Sequence, residues 1–168
     1  MENIINSSTF NFVSDQNKEF IISFDNAINE LGYACGNEIG PGYNWGKYMI
    51  IYRKQNVKSK KVYARIYIRS NSIVLRMYFT NIDKHRRFIE ESPVFIKEVF
   101  TEDHGNCTHC HNEKDGKCKF RKSYTINDQF IEKCNGIVFE FRNPSIEKLK
   151  GYIDLFTEFY PSKKTMKF

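Results

Sequence analysis

The sequence predicts an α+β fold: an antiparallel sheet of four or five strands packed by N- and C-terminal helices, with a cysteine-rich knuckle inserted before the last strand. Three observations carry this expectation. Runs near both ends have the apolar spacing of amphipathic helices, two strictly alternating arms flank a two-residue turn in the middle, and four of the five cysteines fall between residues 107 and 134. At 168 residues the chain has the size of one ordinary domain, expected as 1–168 with the knuckle at about 104–134.

Asp15 is the expected cap of the first helix, QNKEFIISFDNAINELGY, in which Phe20, Phe24, Ala27, Ile28 and Leu31 recur at helical spacing. GNEIGPGYNWG follows. Its four Gly and one Pro make it a loop that brings Trp45, as a buried aromatic, next to the strand KYMIIYR. GPGYNWG lacks both the lysine placement and the following helix of a phosphate-binding loop. The hairpin KVYARIYIRSNSIVLRMYF turns at Ser70-Asn71, pairing Ile68 with Ile73, Ile66 with Leu75, Ala64 with Met77 and Val62 with Phe79 on an apolar face. The other face carries Tyr67 opposite Val74, Tyr63 opposite Tyr78 and Arg65 opposite Arg76, with Arg69 beside the turn. Two arginines directly across a ladder repel one another unless an anion lies between them or each finds a partner such as Glu140. TNIDKHRRFIEES then reads as a helix capped by Thr80 or Asn81, and Pro93 restarts the chain. A last strand, GIVFEFR, leads to a helix with Asn143 as cap, Pro144 in the first turn and Ile146, Leu149, Ile153, Phe156 and Phe159 or Tyr160 inward.

Composition narrows the functional classes. Hydrophobic content of 40% with 15% aromatics excludes a disordered chain, and the net charge of +6 suits anionic partners without demanding them. No run of 18 apolar residues is present, and MENIINSSTFNFVSD lacks the basic start and apolar centre of a signal peptide, so the expected location is the cytoplasm with no membrane partner. Five cysteines, an odd number, fit metal binding in a reducing compartment better than a disulfide framework. Abundant Lys, Ile and Asn beside only three Ala suggest an AT-rich, bacterial genome.

Cys107, Cys110, Cys118 and Cys134 are spaced C-x2-C-x7-C-x15-C. Two thiolates separated by two residues reach one ion from a single turn, Asp115-Gly116 can turn Cys118 back toward them, and Cys134, before Asn135-Gly136, is the natural fourth ligand of a structural Zn2+. His104, His109 and His111 flank these sulfurs, and any of them could replace Cys134. Four thiolates leave no position open for water, whereas three ligands and a water would suggest hydrolysis. An iron–sulfur cluster finds no other sign of electron transfer in the chain, and a redox pair at Cys107 and Cys110 would lack a βαβ setting.

The run C-T-H-C…C-K-F-R-K-S-Y-T-I…K-C-N-G-I-V-F-E-F-R-N-P resembles the cysteine-rich C-terminal segment of uncharacterised small proteins of clostridia and other Firmicutes, in which C-x2-R-x2-Y (Cys118, Arg121, Tyr124) precedes a final cysteine. The helix, Trp-bearing loop and basic hairpin resemble small α+β domains of the YjbR-like kind. These resemblances imply a shape and no activity. The residues contain no nucleophile motif, no paired acids in a Gly-rich setting and no H-E-x-x-H. The expected function is therefore a zinc-stabilised binding or regulatory module without catalysis. A nucleic-acid-binding or anionic-ligand site on Arg65, Arg69, Arg76, Tyr63, Tyr67 and Trp45 is the alternative, and a metal-dependent hydrolase the second.

Overall fold

The computed structural model describes residues 1–110, 118–134 and 139–162. Its helices and strands are, in chain order, α1 (Glu2–Ile5), α2 (Asp15–Glu30), β1 (Tyr33–Ala34), β2 (Gly40–Pro41), β3 (Tyr48–Lys54), β4 (Val62–Ile68) and β5 (Ile73–Met77). They continue with α3 (Arg86–Glu91), α4 (Val94–Thr101), β6 (Arg121–Ile126), β7 (Gln129–Cys134), β8 (Glu140–Arg142) and α5 (Leu149–Phe159). The α+β class holds. The chain divides into two compact units, Met1–Tyr78 with Phe141–Phe168, and Phe79–Glu140.

In the main sheet β1, β3, β4, β5 and β8 lie in that order and β2 also pairs with β3, which makes six strands against the four or five expected. The added strands are the two-residue pieces β1 and β2, too short to show alternation in the sequence. The central hairpin has the expected register, with Ile68 opposite Ile73, Ile66 opposite Leu75, Ala64 opposite Met77 and Arg65 opposite Arg76, and Arg69 N donates to Ser72 O at 2.9 Å to close the turn. One detail departs from strict alternation. Between β3 and β4, Tyr52 pairs with Ala64 and Arg53 with Val62, so Tyr63 is the extra residue of a bulge.

Helix α2 is capped by Ser14, one residue before the expected Asp15, because the hydroxyl accepts from Asn17 N at 3.3 Å while the carboxylate sits in the first turn. The helix buries Phe20, Ile21, Phe24 and Ile28. Phe24 meets Tyr52 edge-on at 5.4 Å, and Phe20 meets Tyr152 of α5 at 5.9 Å. Helix α5 buries Phe156 as expected, but with it Tyr152 and Leu155 in place of Leu149 and Ile153. A short 3-10 turn at Ile146–Lys148 delays its start, and Tyr152 turns inward between the rings of Phe20 and Phe141. Asn143 stands at φ 48° before that turn and does not cap the helix.

The second unit begins with a 3-10 turn at Ile82–His85 and α3, where one continuous helix was expected. After Pro93, α4 buries Ile96, Val99 and Phe100. Strands β6 and β7 form a separate two-stranded sheet closed by Asn127 and Asp128, both at positive φ. Helix α3 and the residues before it hold this turn: Glu90 Oε1 accepts from Asn127 N at 2.7 Å, Asp83 Oδ1 accepts from Thr125 N at 2.9 Å, and Arg86 bonds Asp128 at 2.8 Å. The core beneath is aromatic. Phe79, Phe100, Tyr124 and Phe139 pack ring on ring, and Tyr124 donates to Phe100 O at 2.7 Å. Among the described residues, no helix is long and apolar enough to cross a membrane.

Two glycines fix the loop before β3. A Cβ on Gly42 would lie 2.2 Å from Gly46 O, and one on Gly46 would lie 2.9 Å from Ile68 O, contacts with backbone that cannot swing aside. Gly42→Ala should therefore cost about 1–3 kcal/mol in urea-unfolding free energy, the usual cost of overpacking. Gly40→Ala, with nothing within 4 Å of the added carbon, should leave the midpoint unchanged.

Candidate metal centre

Strand alternation decides which side chains of β6 and β7 share a face. Arg121 lies opposite Cys134, and Ser123 opposite Glu132, so Arg121, Cys134 and Glu132 fall on one side of this sheet. Lys122, Lys133, Tyr124 and Ile131 fall on the other. Residues 105–107 add a short third run of pairing beside β7: Cys134 N donates to Gly105 O at 2.7 Å, and Cys107 N donates to Glu132 O at 2.9 Å. This ties Cys107 to the strand that carries Cys134. The two sulfurs most distant in sequence are thus held by one ladder.

Cys107, Cys110, Cys118 and Cys134 line one cavity of about 210 Å³ together with Thr108, His109, Phe120 and Arg121. All four are free thiols. At its rim His109 takes φ 53°, and its amide donates to Cys107 Sγ at 3.4 Å, the amide-to-sulfur bond that a two-residue spacer between cysteines is built to make. Arg121 Nε donates to the same sulfur at 3.3 Å. That bond is the first cause that raises the arginine's pKa above its ordinary value. Burial first, and then the thiols of Cys107, Cys110 and Cys118, push the Cys134 thiol above its ordinary value, since crowded thiols resist ionising together. Among the described residues no group of three or more Cys, His, Asp or Glu side chains could hold a metal ion as it stands. The four thiols surround a space and do not converge on a point.

The histidines are placed differently from one another. His109 lines the cavity, but its Nε2 lies 3.0 Å from Glu132 Oε1. His104 Nε2 lies 3.4 Å from Glu140 Oε1 and does not line the cavity. His111, like Asp115-Gly116 and Asn135-Gly136, lies outside the described residues. Cys35 belongs to the first unit, half-buried, with its thiol donating to Asp25 Oδ1 at 3.3 Å.

Two further residues shape this site and were not singled out in the sequence. Glu132 bridges His109 and Arg121, the latter at 3.6 Å. Lys133, fully buried, donates to Glu102 O and, at 2.7 Å, to His104 O, clamping the segment that leads into Cys107. The signal was present in the sequence as RKSYTI-ND-QFIEKC, two alternating arms about a turn pair.

The residues expected on the hairpin face are only partly brought together. Arg76 is buried, its guanidinium 4.6 Å from the Trp45 ring and 5.2 Å from the Tyr67 ring. Arg65 lies 5.5 Å from the Tyr78 ring and bonds Tyr67 OH at 3.3 Å, so the two facing arginines splay onto separate rings. Tyr67 is 1% exposed, which leaves it no surface for a stacked base. The bulge sends Tyr63 elsewhere, against Tyr33 and Tyr160 at 4.8 Å each. Trp45, expected to be buried, is 42% exposed because one face of the ring rests on Arg76 and little covers the rest. Arg69 Nε donates to Trp45 O at 3.0 Å.

No family model, curated protein or solved structure matches the chain.

Lys133→Met should remove two charge-assisted bonds and leave two carbonyls without a donor, costing about 2–4 kcal/mol. Hydrogen exchange should show the loss locally, as faster exchange at the amides of Cys107 and Cys134 than at those of β4 and β5.

Proposed function

We propose that this chain is a zinc-stabilised binding module without catalysis, in which Cys107, Cys110, Cys118 and Cys134 hold one structural Zn2+. The observation that carries this reading is the single cavity lined by all four thiols, with the His109 amide and Arg121 already bonded to Cys107 Sγ. A structural zinc site needs four such ligands, deprotonated, with hydrogen bonds that share their negative charge. Burial and the neighbouring thiols together resist ionisation of Cys134, and a bound dication reverses that penalty. One χ1 rotation moves a cysteine Sγ between staggered positions, the kind of adjustment that bringing the four sulfurs of this cavity onto one ion calls for. Four thiolates leave no coordination position for water, which argues against the hydrolase alternative.

Metal analysis of the purified protein should return one zinc per chain. Chelation should expose the four thiols to alkylation and lower the melting midpoint. Cys134→Ser should lose the zinc and several kcal/mol of stability, a fraction of the roughly 10–16 kcal/mol of apparent binding energy available to structural zinc. Cys35→Ser should keep it. A Cys134→Ser protein that retains full zinc and the parent midpoint would overturn the four-cysteine set and move the fourth ligand to a histidine.

A further inference from the structure

The positive charge of the chain is not spread over it. The first unit carries sixteen Lys and Arg against nine Asp and Glu, and the second carries ten against eleven. Within the first unit the excess is concentrated further. From Ile39 to Tyr78 there are nine Lys and Arg and no Asp or Glu, over the whole run from β2 to β5. A solubility charge has no reason to exclude acids from forty consecutive residues. An anion-binding strip does.

The same run carries exposed rings on a fixed backbone. Tyr43 is 78% exposed and Trp45 is 42% exposed, both in the loop that Gly42 and Gly46 lock. Trp45 is held from beneath by Arg76 and at its carbonyl by Arg69. Tyr43 stands at φ 53°, a conformation costly to a residue with a bulky side chain, and the loop maintains it while presenting the ring to solvent. Lys47 lies next to the loop with Nζ 4.7 Å from the Phe12 ring. From there β3 leads over about 20 Å to Arg53 and Lys54, both exposed, and on to Lys58, Lys60 and Lys61.

We propose that this strip binds single-stranded nucleic acid, with bases stacking on Trp45 and Tyr43 and with phosphates taken by Lys47, Arg69, Arg53 and the lysines that follow β3. The proposal rests on the reading of the chain as a binding module and needs nothing from the metal. It moves the interface away from Tyr67, which is buried, and from Tyr63, whose ring packs against Tyr33 and Tyr160. Charge alone would suit an acidic protein or an anionic vesicle as well. Exposed rings held on a fixed backbone beside a run of cations are the pairing that single-stranded nucleic acid uses, because every unpaired base offers a face for stacking and every linkage a phosphate. A duplex keeps its bases stacked on one another and offers the rings no such face.

Trp45 is the sole tryptophan, so its emission reports contact directly. The full chain, as purified, is titrated with short mixed-sequence single-stranded DNA and RNA. Saturable quenching is expected with at least one of them. Affinity should fall roughly 20- to 50-fold between about 50 and about 200 mM salt, as three or four of these cations engaging phosphates of a single strand at once require. Trp45→Ala should weaken binding, followed by anisotropy of a labelled strand, roughly 5- to 150-fold. Trp45→Phe should retain most of the affinity, and Lys47→Gln should flatten the salt slope by about one phosphate's worth. Absence of binding at low salt to both strands would overturn the proposal. So would a duplex, a polyglutamate chain or anionic vesicles binding as tightly as the single strands, or wild-type affinity in Trp45→Ala with an unchanged far-ultraviolet dichroism spectrum. Zinc content is measured on the same sample, so a zinc-loaded chain that fails to bind sinks this inference alone, and a zinc-free chain that binds sinks only the metal assignment.

Discussion

The pairing of β4 with β5 across Ser70 and Asn71 is the constraint on which the first unit depends. It places Ala64, Ile66, Ile68, Ile73, Leu75 and Met77 on one face of the sheet. A slip of one residue would turn that whole row away from the core and bring Arg65, Tyr67 and Arg76 into it. The strict alternation of both arms makes such a slip prohibitive. The same register sets Arg65 against Arg76, a repulsive pair in isolation, and the fold answers it with aromatic faces: Tyr78 beneath one, Trp45 and Tyr67 about the other. Trp45 is therefore held by the hairpin that its own loop precedes.

The second unit uses strand pairing in a comparable way, with different cargo. The β6–β7 ladder sorts Arg121, Glu132 and Cys134 to one side and Lys133 and Tyr124 to the other. Tyr124 and the aromatic core hold the sheet in place, while Lys133 fastens the 102–104 backbone and so positions Cys107. The thiols then meet because of backbone bonds made elsewhere. Burial and the three neighbouring thiols hold Cys134 toward its neutral form, while the Arg121 guanidinium donates to Cys107 Sγ.

The main hairpin, α2 and α5 could be read from the sequence because each carries an apolar row at the period of its element. What escaped reading was set by contacts distant in the chain. The inward turn of Tyr152 depends on Phe20 and Phe141, and the re-aiming of Tyr63 depends on a single extra residue against β3. The pieces β1 and β2 have two residues each, too few for any pattern. The grouping of the four cysteines was legible from their spacing. The roles of Glu132 and Lys133 were not drawn from it, although the Asn127-Asp128 turn between alternating arms gave the register that assigns them.

The loop before β3 separates what keeps its shape from what it displays. Its path is set by Gly42, Gly46 and the backbone bonds between Gly42 and Lys47, and none of these involves the Tyr43 side chain. Position 43 is thus free to vary in chemistry while its backbone stays fixed, and asparagine or glycine there would be more at ease at φ 53° than tyrosine is. The tyrosine stands there at a conformational cost that asparagine or glycine would not carry, and its exposed ring returns little of that cost to folding.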